Sequence, residues 1–143
     1  MANINPYLTF KGNCEEAFNF YKSVFGGEFA TIMRMGDGSG GMEVPDAAKN
    51  QIMHVALPVG DTAMLMGSDA MEGFGPPFNA GNNFSVAVGP KSKEEADKLY
   101  NGLAAGGTQT MPMADAFWGA YFGMLVDKFG IQWMVNFDAS RNA

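Results

Sequence analysis

Of the 143 residues, one side chain, His54, has an ordinary pKa suited to proton transfer near neutrality. It sits in the β-prone run Ile52-Met-His-Val-Ala-Leu-Pro-Val59, where strict alternation groups it with Ile52, Ala56 and Pro58, opposite Met53, Val55 and Leu57. Facing a cavity, it can hold or protonate a ligand. Facing the interior or a dimer interface, it is a structural histidine bonded to backbone. Around it stand the other candidates. Trp118, Tyr121 and Phe122 surround Gly119, a grouping that suits a stacking wall for a planar or apolar ligand and equally suits core packing. Tyr7 offers a phenol from the first strand, and Trp133 follows the Phe129-Gly130 turn as core or wall.

Other chemistry is excluded or reduced to structure. A lone histidine and no nucleophile motif leave nothing on which to build a Ser-His-Asp triad. Glu15-Glu16 and Glu94-Glu95 lie where helix first turns attract acids. Asp61, Asp69, Asp127 and Asp138 flank turns, and turn chemistry explains them. Cys14 at a helix start is placed for a lowered pKa but has no partner in view and reads as structural. The 12 methionines invite a metal or heme reading, yet many lie beside apolar residues, as gap fillers do.

Composition narrows the class further. The chain is 47% hydrophobic and 13% aromatic, with a length that suits one packed domain. A net charge of -6 argues against nucleic acid or an anionic membrane as partner. No apolar run approaches the length of a membrane span, the N-terminus lacks a signal-peptide pattern, and one cysteine fits a reducing cytoplasm, the expected location.

The elements that position these residues repeat. Pro6–Phe10 reads as a strand. Asn13-Cys-Glu-Glu16 has the form of a capping box opening a helix whose Ala17, Phe20, Tyr21 and Val24 keep helical spacing up to Gly26-Gly27. Glu28–Arg34 is a strand, and Ile52–Val59 and Thr62–Ser68 form a hairpin around Gly60-Asp61. The loop 36–50, rich in glycine, is the natural lid. The second half runs the same way: strand 83–88, capping box Ser92–Glu95, and a helix whose Ala96, Leu99, Tyr100 and Leu103 repeat the first set 79 residues on (96 − 17). Gly106-Gly107 ends it, and strands 108–113, 121–127 and 131–137 follow. Module one spans about 1–70, a Gly/Pro-rich linker 71–82, and module two about 83–138. Each half is β-α-β-β-β and too small to bury a sheet face alone. The expected fold is α+β: two repeated modules forming a curved mixed sheet around a cleft.

Paired modules of this kind resemble the vicinal oxygen chelate superfamily of glyoxalase I, extradiol dioxygenases and bleomycin resistance proteins. Pro6–Phe10, Phe20-Tyr21, Met53–Leu57, Phe117-Trp-Gly119 and Asp127–Trp133 resemble its PhnB-like group, often labelled 3-demethylubiquinone-9 3-methyltransferase-like. No glycine-rich loop follows a strand as nucleotide-type cofactor binding would need. The resemblance implies a metal position on the first and last strand of each module, held by His or Glu. Carried over by position, the first and third fall on Pro6 and Asn83, and the second and fourth fall near Leu65 and Met134. None is a first-choice ligand for Zn, Ni, Fe or Mn. The neighbours Asn5, Tyr7, Met64, Met66, Asn82, Phe84, Trp133 and Val135 include no His, Asp or Glu either.

The resulting expectation is a metal-independent binding protein for a small molecule, without cofactor, working as a homodimer. Its ligand-binding candidates are His54, Tyr7, Trp118, Tyr121, Phe122 and Trp133. The competing reading is a lyase or dioxygenase-type enzyme whose rebuilt metal site joins His54 to loop carboxylates such as Asp69 or Glu43.

Overall fold

A computed structural model of the chain describes residues 3–37, 48–70 and 77–138. Two units emerge, Met1–Asn79 and Ala80–Ala143, each with its own sheet and helix.

In the first unit the strands are β1 (Tyr7–Phe10), β2 (Thr31–Arg34), β3 (Ile52–Val59) and β4 (Ala63–Asp69), with helix α1 (Cys14–Phe25) after β1. Their order is β1-β4-β3-β2, with β1 parallel to β4 and the other pairs antiparallel. Parallel pairing needs a crossover, and α1 begins it. Alternation then sorts the side chains. Leu8, Phe10, Val55, Leu57 and Leu65 are buried, as are Cys14, Ala17, Phe18 and Tyr21 on one stripe of α1. Phe18 meets Phe10 and Tyr21 edge-on, with centroids 6.1 and 5.4 Å apart. Each such aromatic contributes roughly 1.5–3 kcal/mol through burial. The opposite face carries Tyr7, Thr31, Met33, His54, Ala56, Met64 and Met66, as the pairings Tyr7↔Met66, Met66↔Ala56, Ala56↔Thr31 and His54↔Met33 require.

Strict alternation fails at one point. The register passes from Met33↔His54 to Arg34↔Ile52, so Met53 is an extra residue in β3. The bulge turns Ile52 into the core, fully buried with Val55 and Leu57, and removes it from the set expected around His54.

The start of α1 also departs from expectation. Asn13 makes no side-chain capping bond. Asp69, at the end of β4, does the work instead: its Oδ1 accepts from the N–H groups of Gly12 (3.0 Å) and Cys14 (2.9 Å), and its Oδ2 from Ile52 N–H (2.9 Å). One buried carboxylate thus ties helix, hairpin and sheet together. At the helix end the Gly26 N–H donates to Lys22 O with φ at 82°.

The second unit repeats the plan with β5 (Val86–Val88), α2 (Lys93–Ala104), β6 (Thr108–Asp115), β7 (Tyr121–Val126) and β8 (Gln132–Phe137), ordered β5-β8-β7-β6. Here the capping serine is used: Ser92 Oγ accepts from Glu95 N–H at 3.0 Å, while Glu95 reaches back to Lys91 N–H rather than to Ser92. Tyr100 donates its hydroxyl to the carbonyls of Met111 and Met124, 3.0 Å from each. Two strands are shorter than the sequence suggests. Residues 28–30 and 83–85 stay outside the ladders, leaving β2 and β5 with 4 and 3 residues. The expected lid, 36–50, and linker, 71–82, fall partly outside the described residues. Among the described residues no helix is long and apolar enough to cross a membrane.

Candidate functional site

Tyr7 and His54 come together. They stand on β1 and β3, with β4 between them, and their side chains reach across it on the face turned away from α1. Tyr7 Oη lies 3.3 Å from His54 Nδ1, and the two rings stack with centroids 5.7 Å apart and planes 23° from parallel. The bond occupies one ring nitrogen and leaves the position of Nε2 fixed by the stacked ring. Met33 stands directly opposite His54 on β2, and Met66 directly opposite Tyr7 on β4. The surroundings are partly open: Tyr7 is 48% exposed and the neighbouring Met33 37%. A proton-bearing polar group between thioether side chains can orient a small molecule whose body is apolar.

The second unit divides the remaining candidates. Neighbours on a strand face opposite ways, and Tyr121 and Phe122 do so. Tyr121 lies on the α2 side, where its hydroxyl donates to Asp97 Oδ1 at 2.6 Å and Lys93 Nζ sits 5.0 Å from its ring centre. That hydrogen bond, with the Asp97 charge behind it, raises the phenol's pKa. Trp133 is 1% exposed in the core, and its indole N–H donates to Asp127 Oδ2 at 2.8 Å. Neither shares a surface with Phe122. Trp118 does, its ring centre 5.6 Å from that of Phe122. A turn holds Trp118 out: Ala116 N–H donates to Ala120 O, Gly119 N–H to Ala116 O, and Gly119 takes φ 96°. Sequence reading passed over Asn136, which stands directly opposite Phe122 on the same face. Alternation along β8 predicts that facing, but nothing in one amide marks it as a site.

Asp69, one of the two carboxylates expected to complete a rebuilt metal site, does not join His54. Both Asp69 oxygens are engaged by backbone N–H groups on the α1 side of the sheet, away from His54. Glu43 lies outside the described residues. Among the described residues no three His, Cys, Asp or Glu side chains gather into a metal-binding group. The four positions implied by family resemblance fall at Pro6 and Asn83 and near Leu65 and Met134, and Leu65 is packed in the core. The donor chemistry present does not fit a divalent ion at those positions. Cys14 is no nucleophile: burial first, then the charges of Asp69 and Glu15, push its thiol up to about 12, so the helix start does not activate it.

Two mixed four-stranded sheets, each with a crossover helix and built from one repeated plan, define the glyoxalase/bleomycin resistance fold. Within that class, the sequence model of the 3-demethylubiquinone-9 3-methyltransferase family matches residues 2–136, and the chain belongs to this PhnB-like family. It is 30% identical to the protein YjdN of Escherichia coli K12 over 144 aligned residues, covering 93% of each chain. It is similar to the crystal structure of protein PA1353 from Pseudomonas aeruginosa, with 40% identity, a TM-score of 0.85, and 96% and 98% of the two chains covered. It is also similar to the putative 3-demethylubiquinone-9 3-methyltransferase, PhnB protein, of Bacillus cereus, with 28% identity, a TM-score of 0.72, and 95% and 99% covered.

Proposed function

We propose that the protein is a metal-independent binding protein for a small organic molecule, anchored by the Tyr7–His54 pair and working as a homodimer. The observation that carries this reading is the 3.3 Å Tyr7 Oη to His54 Nδ1 contact on the sheet face that α1 leaves free. A core histidine would be sealed, whereas this one is only part-buried beside an exposed tyrosine and Met33. Engagement of both Asp69 oxygens elsewhere favours binding over the rebuilt-metal enzyme. Self-association is supported by edge strand β2, where Ile32 is 40% exposed beside Met33.

The test is a thermal-shift screen of wild type, His54→Ala and Tyr7→Phe against small aromatic and carboxylate-bearing compounds, with the metal content of untagged protein measured alongside. Compounds that raise the wild-type Tm should lose that effect in His54→Ala and keep part of it in Tyr7→Phe. Stabilisation that survives in His54→Ala would sink the anchor role, and near-stoichiometric Ni, Zn, Fe or Mn would favour the enzyme.

A further inference from the structure

Buried polar atoms are almost always hydrogen-bonded, and one left alone marks a place where something is missing. Among the described residues, Asn136 Oδ1 is such an atom: a buried side-chain acceptor with no partner in the chain. Its setting says what would meet it. Asn136 projects from β8 on the face away from α2, directly opposite Phe122, and Met134 and Met124 form the next pair on that face. Trp118 leans on Phe122 at 65°, and Phe117 meets Trp118 edge-on at 5.1 Å. These aromatics are poorly covered, Trp118 being 54% exposed and Phe117 99%. A lone acceptor lies on the same sheet face as an open aromatic wall.

We infer that Asn136, Trp118 and Phe122 form a binding site on the second unit for a planar aromatic compound bearing an O–H or N–H donor. The ring stacks on Trp118, whose face tolerates many ring types. The donor reaches Asn136 Oδ1 and supplies the bond that the chain does not. The site rests on its own observation and does not depend on the Tyr7–His54 anchor. Selectivity follows from the acceptor, because a ring without a donor desolvates that oxygen and gives nothing back.

The test is a pair of probes, 2-naphthol and 2-methoxynaphthalene, alike in ring and different in the donor. Both are titrated against labelled full-length protein, with amide and indole shifts followed by NMR. Wild type should bind 2-naphthol about tenfold or more tightly than the ether, with shifts centred on Trp118 and Asn136. Asn136→Leu should bring the two probes to similar affinity, and Asn136→Asp, which keeps an acceptor, should retain the preference. If Asn136→Leu does not fold, the wild-type preference and the location of its shifts decide alone. Equal wild-type affinities would mean that the oxygen is met by water, and they would overturn the assignment. Absence of binding, or loss of naphthol binding in His54→Ala, would overturn it too. Retained naphthol binding in that variant, even if the Tyr7–His54 reading fails, supports it.

Discussion

The two units share a packing frame and differ in almost every polar choice made on it. A shift of 79 residues carries Ala17 onto Ala96 and Tyr21 onto Tyr100, all four buried. The same shift carries Phe18, a core aromatic, onto Asp97, which accepts the Tyr121 hydroxyl. It carries Cys14 onto the surface Lys93. Each sheet sets a glycine opposite a valine under its helix, but on exchanged strands: Val55 of β3 faces Gly67 of β4, and Gly123 of β7 faces Val135 of β8. Each unit also buries a carboxylate that gathers N–H groups: Asp69 at the helix start accepts from Gly12, Cys14 and Ile52, and Asp127 in the β7–β8 turn accepts from Phe129, Ile131 and the Trp133 indole. The faces turned away from the helices diverge most, a Tyr–His pair in one and Trp118, Phe122 and Asn136 in the other. Packing constrains apolar positions to their spacing, while polar positions need only satisfy their own hydrogen bonds. A duplicated fold therefore keeps its core pattern and varies its surface chemistry.

The largest expected effect separates the two carboxylates. Asp69→Ala strands the N–H groups of Gly12, Cys14 and Ile52, two of them in buried bonds, and should destabilise by about 3–4 kcal/mol in urea unfolding. Asp127→Ala strands the buried Trp133 N–H, while the Phe129 and Ile131 N–H groups are only partly buried and can turn to water. Its loss should be about 2 kcal/mol. Equal losses would break the claim that Asp69 holds helix, hairpin and sheet at once.

The exchanged glycines come next. A Cβ at Gly67 would lie 2.6 Å from Phe18 Cε1 and 2.7 Å from the Leu8 carbonyl oxygen, a ring and a backbone that cannot easily yield. At Gly123 the nearest atom, at 2.6 Å, is the sulfur of Met113, the end of a flexible side chain. Gly67→Ala should therefore lower stability by about 2–3 kcal/mol and Gly123→Ala by about 1 kcal/mol. The reverse ranking in thermal unfolding would show that the second unit is the more tightly packed.

How much of this was legible follows the same division. Helix spans, the Gly26 and Gly106-Gly107 stops and the alternation of apolar residues along the strands were readable, because burial at period 2 or 3.6 leaves a repeating trace. The Met53 bulge was not, since an inserted residue shifts facing without changing composition, and it moved Ile52 away from His54. Asn13-x-x-Glu16 looked like Ser92-x-x-Glu95, yet the first helix is capped by Asp69, 55 residues further along the chain than Cys14. A long-range acceptor leaves no local signature. In the candidate site, the pairing of Tyr7 with His54 required knowing that β4 lies between β1 and β3. The separation of Tyr121 from Phe122 required only alternation.

Cys14 gives a smaller, pH-dependent distinction, because the second unit has no counterpart. The folded thiol is pushed up from an ordinary 9.0 to about 12, so the folded state keeps a proton that the unfolded chain releases. The contribution is complete below pH 9 and is lost as pH rises toward 12. Between pH 8 and pH 10 the wild type should lose about 1.4 kcal/mol more than Cys14→Ala, read from urea midpoints at each pH. Parallel pH profiles for the two proteins would mean that the thiolate is tolerated in the core.

The smallest effect is expected at the one bidentate ion pair described in the first unit. Arg34 donates to Glu15 Oε1 and Oε2 at 2.8 and 2.6 Å, and Nη1 also donates to Asn50 O at 3.2 Å. The Arg34 hydrogen bond holds the Glu15 carboxyl below its usual range, against a smaller opposing effect of burial. A lowered folded pKa means that the stabilisation is present above the ordinary carboxylate value and disappears as pH falls through the folded one. Both side chains are open to solvent, 34% and 45% exposed, so screening limits the pair to less than about 1 kcal/mol. Glu15→Gln should cost a few tenths of a kcal/mol at pH 7, and about half of that or less in 1 M salt. Among the described residues no arginine pairs with Glu94, its counterpart 79 residues on, and Glu94→Gln should leave stability and its salt dependence unchanged. A larger loss at Glu15 that salt does not reduce would show the pair acting through geometry, as a clamp between α1 and β2, rather than through charge.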